Sequence, residues 1–463
     1  MLRRMTSATP AVTAARARPR RVVLRAARLF DGVSLTLVAN PTVVLDGSTI
    51  VAVDTNAPIG AALPGGLEDE EAARADGVTV IDLGNATLLP GLVDPHVHLA
   101  FDASDDPVGN LARRDDDAAM AAMAAAARHA ARGGVTTVRD LGDRGYLSLT
   151  LRTAATAGRA GPAGPAPGAG SGAGPESGSG ATLPTIVAAG PPLTTPDGHC
   201  HYLGGAVRGV EAVRAAVRAR AERGVDLVKI MASGGNLTPG TRPDLPQFGP
   251  DELRAAVEEA HRHSLPVTAH AHGTAAIAAA VAAGVDGLEH VSFMTRDGVD
   301  PAPERLVATI ADRRIVLGLT LGTAPVPGAA VPAQIAARLP ALVANGRRLF
   351  ESGAPVVLGT DAGIGRVKPP DVLRWAVGQF TRIGPTPAEA LRAATSEAAA
   401  VCGLAHRKGR LAPGYDADIL AVDGDPLTDP DALHRIRAVF VRGHRLADVA
   451  GEPANAAAAH AGP

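Results

Sequence analysis

Between about Thr87 and Ala405 the chain alternates short apolar runs with longer Ala-rich stretches in which polar residues recur at helical spacing. The runs LLPGLVDPHVH, VTTVRD, TIVAAG, VDLVKI, PVTAHAH, GLEHV, VLGLTL and VVLGTD are of strand length. Among them lie the helical stretches AAMAAMAAAARHAARGG, VEAVRAAVRARAERG, DELRAAVEEAHRHS, TAAIAAAVAAG, LVATIADRR and LPALVANGRRLFESG, most ending near Gly or Ser. Nearly continuous apolar strands belong to a parallel sheet buried on both faces, and their alternation with helices gives βα units. Eight units over about 300 residues predict an α/β fold, the (β/α)8 TIM barrel. A doubly wound sheet is the alternative, but it does not usually place polar residues at the C-terminal ends of nearly every strand.

The two ends have another texture. VVLRAARLF and TLVANPTVVLDGSTIVAV, then VTVIDL, are short Val- and Leu-rich runs between turn residues, and GRLAPGYDADILAVDGDP and AVFVRGHRL repeat the pattern after Leu404. Residues 21–86 and 406–450 are therefore expected to form one small β-sandwich, with the barrel of residues 87–405 inserted into it. Residues 1–20 are Arg-rich and acid-free and lack an apolar core segment, which predicts a disordered leader rather than a secretory signal. Residues 158–181 hold nine Gly and four Pro and are expected to be a flexible insertion.

Composition narrows the function. With 46% hydrophobic and 20% charged residues and a net charge of -2, the chain reads as a globular protein without a basic nucleic-acid footprint. No run approaches the roughly 18 apolar residues of a membrane span. Two cysteines, Cys200 and Cys402, make neither a disulfide framework nor a thiolate zinc site, and a reducing cytoplasm is the expected location. The partner is then a small-molecule substrate, with a homo-oligomer left open. The 53 Gly and 37 Pro suit a fold of many turns. Aromatics are scarce, at seven Phe, three Tyr and one Trp. Five of them, Phe101, Tyr146, Tyr202, Phe248 and Phe293, follow predicted strand ends and are expected to line a substrate pocket.

The chemistry-bearing residues also fall at strand ends. His96 and His98 are at i and i+2, so they share a face of the first strand, and paired imidazoles make half of a metal site. Lys229 lies inside an apolar run, where an ammonium must be paired or altered. Either it pairs with an acid such as Asp361, or it reacts with carbon dioxide to give a carbamate that bridges two metal ions. His270 and His272 are a second i, i+2 pair, His290 ends the sixth strand, and Asp361 ends the eighth. His199, His201 and Tyr202 follow the third strand, where His199 could serve an oxyanion or a substrate carboxylate. Arg139 could clamp a carboxylate or pair with Asp140 or Asp143, and His272 could touch substrate. His129, His261, His263, His406, His434, His444 and His460 are expected to be solvated. Cys200 lacks the surroundings of an activated nucleophile.

The motifs LLPGLVDPHVHLAFD, GVTTVRDLG, GPPLTTPDGHCHYLGG, VDLVKIMASGG, VTAHAHG, GVDGLEHV, VVLGTDAG, AATSEAAAVCGL and GRLAPGYDADILAVDGDPL occur in this order over roughly residues 22–445. Together they resemble the amidohydrolase superfamily, and within it the imidazolonepropionase-like members that include Xaa-Pro dipeptidases and N-acyl amino acid hydrolases. The resemblance implies two divalent ions, with zinc expected. His96 and His98 would hold the first ion, carbamylated Lys229 both, and His270 and His290 the second, while Asp361 would bind the first and move the proton. It further implies cleavage of C–N bonds by a metal-bridging hydroxide, in Xaa-Pro dipeptides or N-acyl amino acids. A cyclic amide hydrolase or a lactonase is the same-class alternative, and a binding scaffold without catalysis the different-class one. Deaminase-like relatives carry an acid just after the fifth-strand histidine. Here the stretch is His270-Ala271-His272-Gly273-Thr274, which favours a binuclear hydrolase. Pro95 stands where the family more often has a small residue or threonine, and a small shift of the His96–His98 half-site is expected there.

Overall fold

The computed structural model describes residues 21–55, 78–156 and 182–446. The expected leader, the insertion, residues 447–450 and His460 lie outside these. The described chain opens with β1 (Arg21–Arg25), β2 (Arg28–Leu29), β3 (Val38–Ala39), β4 (Thr42–Asp46), β5 (Thr49–Asp54), β6 (Thr79–Asp82) and β7 (Ala86–Pro90). Strands and helices then alternate. In order they are β8 (Leu92–Val97), α1 (Pro107–Arg113), α2 (Asp116–Arg132), β9 (Val135–Asp140), α3 (Leu147–Thr156), β10 (Thr185–Ala188) and α4 (Val210–Arg223). Next come β11 (Val228–Met231), α5 (Pro250–Arg262), β12 (Val267–Ala271), α6 (Thr274–Ala283), β13 (Gly287–His290), α7 (Glu304–Asp312) and β14 (Val316–Thr320). The last units are α8 (Ala333–Ala336), α9 (Leu339–Glu351), β15 (Val356–Gly359), α10 (Leu373–Thr381), α11 (Pro387–Ala393) and α12 (Ser396–Val401). Strands β16 (Ile419–Asp423), β17 (Ile436–Val441) and β18 (His444–Arg445) close the chain.

Strands β8 to β10 form one parallel sheet and β11 to β15 another. Parallel bridges between Leu193 and Ile230 and between Val97 and Ala362 join the two sheets at both edges. Every residue of β9, β11, β12 and β15 is buried, as apolar runs without alternation require. The covering helices pack with small side chains. On α2 the buried face is Ala119, Met123, Ala124, Ala127, Ala130 and Ala131, and its start is capped by the Asp115 carboxylate, which accepts the Ala118 N–H. None of the helices among the described residues is long and apolar enough to cross a membrane.

The ends build two further sheets, ordered β5-β4-β1-β6 and β18-β17-β16-β7-β2-β3. They share one apolar core, in which Leu24, Val43, Leu45 and Ile50 of the first meet Leu29, Leu88, Ile419 and Phe440 of the second. The run LLPGLVDPHVH, expected as one strand, is two. Its first half, in β7, pairs with β16, and its second half is β8. The break is at Gly91, where a Cβ would collide with the Thr136 hydroxyl, so only glycine lets the chain pass between the two sheets.

Glycine is also required at Gly359, at the end of β15. A Cβ there would stand 2.5 Å from the His96 Cβ. We expect Gly359→Ala to destabilise the protein by about 1–3 kcal/mol through overpacking and to displace His96, which thermal unfolding and metal content would register together.

Candidate active site

The C-terminal ends of the parallel strands gather the histidines. His96 is near the end of β8 and His98 just beyond it, His270 is in β12 with His272 following, His290 ends β13, and Asp361 follows β15. Ring centroids lie 5.4 Å apart for His96–His98, 5.2 Å for His96–His290, 4.5 Å for His270–His290 and 4.5 Å for His272–His290. The Asp361 Oδ1 is 3.4 Å from His96 Nε2 and 3.3 Å from His98 Nε2. Two ligand groups result, each with donor atoms within 4.8 Å of one another: His96, His290 and Asp361, and His270, His272 and His290. His290 belongs to both. His272, expected at the substrate, thus stands among the potential metal ligands.

Each ring is oriented by a fixed partner on one nitrogen, the arrangement that aims the other at a metal. His96 Nδ1 meets Glu289 Oε2 at 2.8 Å, and His98 Nδ1 meets the Gly142 carbonyl at 3.2 Å. His272 Nδ1 meets the Ser292 hydroxyl at 2.7 Å, and His290 Nδ1 the Thr320 hydroxyl at 2.9 Å. His270 is held through Nε2 on the Gly234 carbonyl, at 3.0 Å. Burial and the charge of the neighbouring histidines hold His270 and His290 well below the ordinary imidazole range, and burial takes His272 down to about 4. Burial works against the charged Asp361 carboxylate, but His96 and His98 beside it outweigh that and hold it well below 3.8. His270, His272 and His290 are thus neutral and Asp361 anionic, the protonation states in which these groups bind cations, whereas the Asp361 carboxylate raises His98 against the cost of burial.

Lys229, in β11, is 1% exposed and its Nζ has no hydrogen-bond partner, nor does His96 Nε2. An ion pair with Asp361, one expectation for this lysine, is not formed. Burial lowers its amine from 10.5 to about 8 despite the pull of Glu289 and Asp361. A buried amine left without a hydrogen-bond partner beside a cluster of histidines and a carboxylate fits a site completed by cations.

His199 stands beside this group, its ring 4.7 Å from His270. Burial and the neighbouring His272 take it down to about 3, so it is neutral. Thr238 Oγ1 accepts the Cys200 N–H at 2.9 Å and meets His199 Nδ1 at 3.1 Å. Donation from that hydroxyl to Nδ1 would leave the imidazole proton on Nε2. His201 turns to its own loop, with Nδ1 on the Gly198 carbonyl at 3.0 Å, and the Tyr202 hydroxyl lies 3.6 Å from Cys200 Sγ. Burial drives the Cys200 thiol up to about 12, so it is inert as a nucleophile.

Three expectations are corrected. Arg139 is neither a free clamp nor a partner of Asp140 or Asp143. Its Nε donates to the Pro95 carbonyl at 2.6 Å and its Nη2 to Glu289 at 3.1 Å, because its strand aims it into the interior. Of the five aromatics, Phe101 touches the cluster through His98, at 5.6 Å between rings. Tyr146 packs against Gly190 under the Arg223 guanidinium, and Phe248 and Phe293 are buried in the core. Of the histidines expected to be solvated, His129, His261, His263, His406 and His444 are exposed, the first three facing Asp371, Asp286 and Glu259, whereas His434 is half-buried with its ring tilted against Trp375. At Pro95, which has no N–H, the β8–β9 register slips between Asp94 and Val97.

Several site residues carried no sequence assignment. Asp94, two before His96, accepts the Thr360 hydroxyl at 2.6 Å and is raised by burial to about 7, and alternation along β8 could have found it. Lys368 Nζ donates to the Thr320 and Thr360 carbonyls at 3.0 and 2.8 Å, tying the ends of β14 and β15. Glu289 had no such signal. It precedes His290, and in regular strand the two would face opposite sides, but φ at His290 is +71° and the twist lets both reach the site.

The family model described as the amidohydrolase family matches residues 87–446. Among curated proteins, an ochratoxinase of Aspergillus niger is 36% identical over 236 residues, 50% of this chain and 48% of that protein, so the match spans about half of each. A solved prolidase complexed with N-methylphosphonate-L-proline is 26% identical, with TM-score 0.71 over 92% of this chain and 99% of its own. A solved Xaa-Pro dipeptidase with bound methionine has TM-score 0.73 over the same shares and, at 24% identity, bears on the fold alone.

Proposed function

The chain belongs to the amidohydrolase family, and from that premise we propose that it is a metal-dependent hydrolase of amide bonds whose substrates are N-acyl amino acids or Xaa-Pro dipeptides. The observation that carries this reading is the pair of ligand groups sharing His290 around a buried lysine with no partner. In it, His96, His98 and Asp361 would hold one divalent ion and His270 and His290 a second, with Lys229, as its carbamate, contributing to both. His272 stands by the second group. The eight parallel strands are read as a closed barrel of residues 87–405, supported by the two bridges at their edges, with the end segments, 21–86 and 406–450, as a β-sandwich. Two free, buried cysteines accord with a cytoplasmic enzyme.

Bound divalent ions, zinc expected, would polarise the substrate carbonyl and lower the pKa of water from 15.7 towards about 7. Asp361, anionic and facing His96 and His98, takes the proton of the attacking water and returns it to the leaving nitrogen, acting as base and then acid. His199, neutral and with its Nε2–H free, donates to the carbonyl oxygen as negative charge develops on it.

We expect His199→Asn to lower kcat about 100-fold or more, as loss of one oxyanion donor does, with zinc content unchanged. Equal loss of zinc would make His199 a ligand instead. The reading as a whole is tested by zinc reconstitution with a substrate screen. About two equivalents per chain and turnover of N-acyl amino acids or Xaa-Pro dipeptides support it, and a protein that takes up no metal after reconstitution overturns it.

A further inference from the structure

We propose that Glu289 is a positioning residue that, held by Arg139, fixes the ring of His96 and so sets the affinity of one metal position and not the other. The inference rests on the metal reading above and deepens it. Glu289 is 1% exposed, and both of its oxygens are engaged. Oε2 meets His96 Nδ1 at 2.8 Å, while Oε1 accepts Arg139 Nη2 at 3.1 Å and the Thr268 hydroxyl at 2.7 Å. Arg139 also donates through Nε to the Pro95 carbonyl at 2.6 Å. It therefore grips the backbone immediately before His96 and, through Glu289, the His96 ring.

The carboxylate also has a place cut for it. On β14, Gly318 faces Glu289, and a Cβ there would collide with Oε2. With Nδ1 committed to a carboxylate, Nε2 becomes the ligand atom and the ring a stronger donor. His96 belongs to the group with His290 and Asp361, whereas the group of His270, His272 and His290 contains neither His96 nor any other partner of Glu289.

The test is a Zn2+ titration of metal-free wild type, Glu289→Gln and Gly318→Ala against a chelating dye, with thermal unfolding of each metal-free protein. Gly318→Ala keeps the carboxylate but pushes it away from His96. The expected result is two Zn2+ sites in the wild type, one of which weakens about 10–100-fold in both variants, as loss of a ligand's orienting partner does. The other site keeps its affinity, and both metal-free variants melt below the wild type but still unfold cooperatively from a folded state. Wild-type affinity at both sites in a folded variant overturns the proposal, as does equal weakening of both. Failure of both variants to fold makes the role structural and overturns it too. A wild type that binds no Zn2+ would instead remove the metal reading itself.

Discussion

Replacing Lys229 with methionine is expected to lower activity by at least ~1,000-fold, as loss of a member of a unit does, while making the metal-free protein more stable at neutral pH. In the folded state burial brings the amine from 10.5 to about 8. Below pH 8 the folded protein must therefore hold a charged ammonium that has no hydrogen-bond partner, whereas the unfolded chain solvates it. The difference corresponds to about 3 kcal/mol against folding. Between pH 8 and 10.5 the unfolded chain binds more protons at this position than the folded one, so stability rises with pH across that window. Thermal unfolding with chelator in carbon dioxide-free buffer should show a steeper rise in the wild type than in Lys229→Met, in which Lys368, also lowered by burial to about 8, keeps its own share of the rise. The same lowering leaves about a tenth of the amine neutral at pH 7. That is the form that attacks carbon dioxide, making the N–C bond and releasing a proton to water. Full activity in the methionine variant would refute the carbamate, and equal slopes for wild type and variant from pH 8 to 10.5 would refute the buried ammonium at Lys229.

The second large effect is on kcat in Asp361→Asn, expected to fall about 100- to 10,000-fold, the range of a general acid–base contribution. Asparagine keeps the shape but cannot accept a proton. Because Asp361 also faces His96 and His98 and is a proposed ligand, the assay belongs at saturating zinc, where weakened binding is separated from lost proton transfer. Activity within about tenfold of wild type under those conditions would move the proton-transfer role to another group.

The strands and the clustering of most of the candidate ligands were legible because both obey short-range rules. Buried parallel strands are apolar runs, and the i, i+2 spacing of His96–His98 and His270–His272 follows from the pleat. What was not legible depends on where the backbone leaves those rules. Positive φ at His290 and Phe293 turns one ring toward the site and the other into the core, although both follow the end of an apolar run. The break at Gly91 hid a change of sheet inside one run. Arg139 looked like a loop residue at a strand end, yet it lies buried under the site with Glu289, a partner 150 residues away in sequence. Long-range pairing of that kind has no local signature.

The junction at Gly91 bears on how the enzyme comes into being. Strand β7 lies between β2 and β16, and β8, one residue further on, meets Ala362 across the bridge from Val97. On a ribosome, the segment carrying His96 emerges early but cannot gain its last neighbours until residues 362 and 419–423 have followed. Both sheets joined at Gly91 thus close only when synthesis is nearly complete. The nascent chain must keep its first histidine pair apart from Asp361 for most of translation, so assembly of the cluster is a late event in the protein's synthesis.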